Sequence, residues 1–121
     1  MYTSDTEFVI VMDRNIIVHR SNLILASKLN LAQQEYREVA KADPDLDAIE
    51  FTLVHNYCIP MIVCSECTNG DMWTAEELAH IPETESDKLF EKVKKLNPHW
   101  FPDFNSNGNQ TEEEKKTRVE S

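Results

Sequence analysis

Two dense apolar runs, Phe8-Val9-Ile10-Val11-Met12 and Ile16-Ile17-Val18, lie either side of the polar break Asp13-Arg14-Asn15. β-Branched and aromatic residues around a short turn predict a β-hairpin over about residues 8–19. A further apolar stretch, Leu23–Leu29, leads to Asn30, where the period changes. Asn30 with Gln33 fits an N-cap and its reciprocal partner, and Ala32, Tyr36, Val39 and Ala40 then share one face. This predicts a helix over about 31–42.

Asp43-Pro44-Asp45 restarts the helical pattern, with Asp43 as cap, Pro44 in the first turn and Asp45 and Asp47 near the positive end of the dipole. Leu46, Ile49, Leu53, Val54 and Tyr57 then form the clearest amphipathic stripe in the chain, predicting a helix over about 45–58 that Pro60 limits. Asn69-Gly70 is a turn signal, read as a small hairpin reaching Met72. Thr74-Ala75-Glu76-Glu77 is a capping box, with Trp73 and Leu78 placed as a hydrophobic staple, so a short helix is expected over about 75–81. A last helix over about 84–96 carries Leu89, Phe90, Val93 and Leu96. Its acids lie early and Lys92, Lys94 and Lys95 late, and Asn97-Pro98 stops it. The expected fold is α+β and mostly α. A single globular domain over 1–104 holds an N-terminal hairpin and a bundle of about four short helices, and a polar tail over 105–121 is expected to be disordered.

Composition agrees with one small domain: 121 residues, 40% hydrophobic and 28% charged. The first residues are polar and acidic where a secretory signal would be basic and then apolar, and no apolar run is long enough to span a bilayer. A cytoplasmic location is expected. Twenty-two acids against twelve bases give a net charge of −10; between Asp43 and Glu91 the only Lys or Arg is Lys88. Such a surface repels nucleic acid and anionic lipid and favours basic or apolar protein partners.

His55, Cys58, Cys64 and Cys67 are four soft ligands close in sequence, the set a zinc-stabilised module would use. Against it, only five residues separate the two pairs, four of them apolar, so Cys58 and Cys64 read as small core residues and no metal is expected. Cys64-x-x-Cys67 as a redox pair lacks a nearby base and has Glu66 between the thiols. The acids are explained by caps and helix first turns, and His19, His55, His80 and His99 are scattered, so neither catalysis nor a cofactor is expected. Trp73 and the cluster Trp100-Phe101-Pro102-Asp103-Phe104 are large aromatics; Trp73, Trp100, Phe101 and Phe104 are the expected partner anchors.

From about Leu29 to Phe101 the chain resembles the tail assembly chaperones of long-tailed bacteriophages. The residues that carry the resemblance are Asn30-Leu31-Ala32-Gln33-Gln34, the helix after Asp43-Pro44-Asp45, Asn69-Gly70-Asp71-Met72-Trp73, Thr74-Ala75-Glu76-Glu77-Leu78, Ile81-Pro82-Glu83, and Leu89 to Val93 followed by Leu96-Asn97. The hairpin and the cysteines have no place in that family's pattern. The resemblance implies an adaptor made in the host cytoplasm and absent from the mature virion. Such an adaptor coats the tape measure protein and helps recruit tail tube subunits; whether it forms a homo-oligomer is left open by the sequence. Many members are also made in a longer form by ribosomal frameshifting, for which codons of Glu114-Lys115-Lys116 could supply the slippery site. The alternative is a small acidic regulator, either zinc-stabilised or a decoy for a nucleic-acid-binding protein.

Overall fold

The computed structural model describes residues 5–101. The expected tail over 105–121 and Phe104 lie outside them. Strand β1 (Thr6–Val11) pairs antiparallel with β2 (Arg14–His19), and β3 (Ser65–Cys67) adds to the far side of β2, giving the sheet order β1-β2-β3. Five α-helical segments follow the hairpin: α1 (Leu23–Lys41), α2 (Ala48–Leu53), α3 (Ile59–Val63), α4 (Ala75–Leu78) and α5 (Glu83–Leu96). The architecture is α+β and mostly α, as the hydrophobic pattern requires.

The hairpin turn is Met12-Asp13, not the Asp13-Arg14-Asn15 segment expected from polarity. Both turn residues have positive φ, 48° and 69°, the left-handed pair of a type I′ turn, whose twist matches that of the strands. Arg14 and Asn15 therefore belong to β2, opposite Val11 and Ile10. Alternation sends Val9, Val11, Ile16 and Val18 inward, where α5 covers them, and leaves Phe8 and Ile10 outside.

Helix α1 starts at Leu23, well before the expected residue 31. Its cap is Asn22, whose side chain accepts the Leu25 amide at 2.8 Å, and nothing between them and Lys41 breaks the helix. The next helix starts later than expected. Asp43 closes a turn around Pro44, and Asp47 is the true cap, accepting the Ile49 and Glu50 amides at 2.9 and 3.1 Å.

Pro60 does not end that helix. A π-helical segment, Val54–Cys58, joins α2 to α3, and the Ile59 amide reaches back to the Val54 carbonyl. Proline lacks the N–H that this register would aim at His55. The orphaned His55 carbonyl instead accepts from the Gln33 side chain of α1 at 2.9 Å. The insertion also rotates the stripe: Val54 and Cys58 are buried, whereas Ile49 and Leu53 remain exposed.

After α3 the chain returns to the sheet. The Asn69 side chain holds the return without forming a second hairpin: its Oδ1 accepts the Asn15 amide at 2.8 Å and its Nδ2 donates to the Asp13 carbonyl at 3.0 Å. The capping box forms as expected. Thr74 Oγ1 accepts the Glu77 amide at 3.1 Å and Glu77 Oε1 accepts the Thr74 amide at 2.9 Å, although α4 ends at Leu78. Buried residues fall into one cluster between sheet and α5 and a second between α1 and the α2–α3 helix, bridged by Ala75, Ala79 and Trp100.

Candidate partner-binding surfaces

The aromatic residues expected to anchor a partner mostly hold the fold together. Trp73 is buried beneath Arg14, whose guanidinium carbon sits 4.4 Å from the ring centroid while Nη1 donates to the Asp71 carbonyl at 2.9 Å. Phe101 is buried with Tyr57 and Phe90, at centroid separations of 6.1 and 5.0 Å, closing the end of the core beyond α5. Trp100 is half-buried between the two clusters. The fold thus places Trp73 and Phe101, expected as anchors, in the core: a domain of this size has too little core to leave such rings outside.

The zinc set is not assembled either. Cys58 and Cys64 are buried in the core, and burial pushes both thiols up to about 11. His55 has both ring nitrogens engaged. Arg37 can only donate, so Nε2 accepts from it at 2.8 Å and Nδ1–H donates to Asn56 at 2.8 Å. Among the described residues no group of three or more His, Cys, Asp or Glu side chains is placed to hold a metal ion. No helix among them is long and apolar enough to cross a membrane.

What the sequence did not single out is the apolar surface. On the outer face of the sheet Phe8 and Ile10 are 69% and 61% exposed, beside Ile17, which faces Phe8 across the pair. They line an open cleft of about 610 Å³ with Thr68 and Lys88. Strand β1 is also a sheet edge, with its outer backbone side unpaired to any strand among the described residues. A second stripe lies on the first half of α1, where Leu23, Ile24 and Leu31 project from the helix, Leu23 at 88% exposure. The signal was present in both places: a strand apolar on both faces and a helix with leucines around its circumference have more apolar surface than one small core absorbs.

Charged groups tie the hairpin to α5. Lys95 and Lys92 reach Glu7 at 3.0 and 3.5 Å, and the hydrogen bond from Lys95 is the main reason that the Glu7 carboxyl titrates below its ordinary range. Glu85 is lowered in the same way, first by Lys88 and then by the Met12 amide, which donates to Oε1 at 3.0 Å. A third surface is the groove between α1 and α3, lined by Ala32, Val39, Ile59 and Val63 with Glu35 and Glu76 at its rims. Among the described residues these are the apolar faces and the groove that the core leaves uncovered.

Comparison of the chain with protein-family models, with curated proteins and with solved structures gives no match.

Proposed function

We propose that this protein is an assembly adaptor that binds another polypeptide, and that its partner is a phage tape measure protein. The observation that carries the reading is the exposed pair Phe8 and Ile10 on a sheet edge, accompanied by the leucine stripe at the start of α1. Exposed large apolar side chains grouped on one face mark contact surfaces. An edge strand can add a strand, and a helix stripe can meet an amphipathic helix.

The resemblance of residues 29–101 to tail assembly chaperones gives this surface its partner. A tape measure protein is long and prone to aggregate, and a small acidic adaptor covering its apolar segments keeps it soluble until tube subunits replace it. The net charge of −10 suits that role, because coated complexes carrying like charge repel one another.

Co-expression tests the proposal. The chain should raise the soluble yield of the tape measure protein and co-purify with it. A Phe8→Asp, Ile10→Asp variant should keep its helical circular dichroism yet lose both effects. Unchanged solubility with no co-purification would overturn the reading.

A further inference from the structure

The groove between α1 and α3 has a composition that neither core packing nor the sheet-edge surface explains. Its floor is apolar, formed by Ala32, Val39, Ile59, Ile62 and Val63. Its space of about 270 Å³ falls below the roughly 300–1,000 Å³ of sites for small molecules, and is suited to one or two side chains of another protein. Ile59 below is buried, whereas Val39 at the edge is exposed, so the groove runs from core to surface.

Two further observations distinguish this groove. Tyr36, which lines it, is only 9% exposed, and its hydroxyl has no hydrogen-bond partner among the described residues. A buried hydroxyl left unpaired costs stability, so its retention asks for a reason outside the isolated chain. The ring itself is well placed, stacked on Phe51 at 5.5 Å. Secondly, Glu35 and Glu76 stand at the rims, and no base among the described residues pairs with either. Glu7, Glu38 and Glu85 all have lysine partners, whereas these two carboxylates are open to an incoming cation.

We propose that this groove seats a cationic amphipathic helix of a partner protein. An apolar side chain enters between Ala32 and Val63, flanking Lys or Arg residues pair with Glu35 and Glu76, and the Tyr36 ring shifts so that its hydroxyl, closed off from solvent in the free chain, donates to an oxygen on the incoming chain. The inference deepens the binding function above by giving the chemistry of the partner segment. The neighbouring acids Asp43, Asp45 and Asp47 extend the same sign of charge beyond the end of α1, which favours a basic segment and repels an acidic one.

The larger cleft between α4 and α5, lined by Tyr57, Met61, Ile81 and Phe90, also carries acids, Glu83 and Asp87, and is the internal control. The probe is a fluorescein-labelled peptide of leucine and lysine at helical spacing, about five turns long, titrated by anisotropy against the full chain. Glu35→Gln with Glu76→Gln should weaken binding about three- to tenfold and flatten its salt dependence. Glu83→Gln with Asp87→Gln, which removes equal charge, should leave binding within about twofold. Tyr36→Phe should weaken the peptide while raising the melting temperature of the free chain, a combination that a purely structural hydroxyl would not give.

Equal affinity for a peptide with glutamate in place of lysine would overturn the proposal. So would weakening by the Glu83, Asp87 pair in place of the Glu35, Glu76 pair. If the tape measure protein fails to co-purify while the peptide still discriminates, the named partner falls and the groove stands. If it co-purifies and the peptide does not discriminate, the groove falls alone.

Discussion

The side chain of Asn97 ties the end of α5 to the entrance of α1: its Oδ1 accepts the Ser21 amide at 2.6 Å, and its Nδ2 donates to the His19 carbonyl at 3.0 Å. Asn97 is fully buried, and is the one polar residue among the described residues to be so. Replacing it with alanine leaves a backbone donor and a backbone acceptor unpaired inside the molecule. Asn97→Ala should cost about 2–4 kcal/mol, a large fraction of the stability of a small domain, read as a lower urea midpoint. Asn97→Asp keeps the acceptor and loses the donor, so it should fall between alanine and wild type near neutral pH only if Ser21 carries most of the effect.

Met12 occupies a left-handed conformation that L-residues with long side chains disfavour by about 1–2 kcal/mol. Its side chain is largely exposed, and the amide that meets Glu85 is retained whatever the residue. Met12→Asn should therefore stabilise the fold by about 0.5–1 kcal/mol, seen as a higher melting temperature. A Met12→Val change should do the reverse, because β-branching worsens the same strain.

Gln33 and Pro60 form a compensating pair through the His55 carbonyl. Gln33→Ala should cost about 1 kcal/mol by leaving the His55 carbonyl without its donor. In a Pro60→Ala background the restored amide can serve that carbonyl, so the cost of Gln33→Ala should shrink. A double-mutant cycle by chemical denaturation measures the coupling, and simple additivity would show that the carbonyl is satisfied by another route.

Thiol reactivity separates the cysteines. With Cys58 and Cys64 buried and their thiols pushed up to about 11, only half-buried Cys67 should react quickly with a disulfide reagent near neutral pH. The expected count is one fast thiol in the native chain and three in denaturant. Zinc added beforehand should not change the native count, since His55 is held by Arg37 and Asn56.

The parts of this fold that are legible in the sequence are those where local chemistry suffices. Thr74 and Glu77 cap α4 by contacts within one turn, the acids and lysines of α5 follow its dipole, and the hairpin follows from its β-branched runs. The misreadings arise where a distant residue decides. Asn30 looked like a cap because Leu23–Leu29 is so apolar, yet Asn22 wins once the chain leaves β2 at His19 and Ser21 is held by Asn97. Pro60 looked like a stop because the carbonyl it orphans is satisfied by Gln33, far away in the chain. Trp73 and Phe101 looked like anchors because sequence alone does not show how little else fills the centre. The surfaces now proposed for binding emerge only after subtraction, once it is clear which apolar residues the core leaves over.

The pairing of β1 with α5 has a kinetic meaning as well. Strand β1 is covered on its inner face by α5, more than seventy residues later in the chain, and β3 reaches β2 only after α1, α2 and α3 have been laid down. A ribosome-bound chain therefore completes the cover over the hairpin's valines and isoleucines only when Leu89, Val93 and Leu96 emerge. The inner face of the hairpin thus waits on the far end of the fold for its full cover.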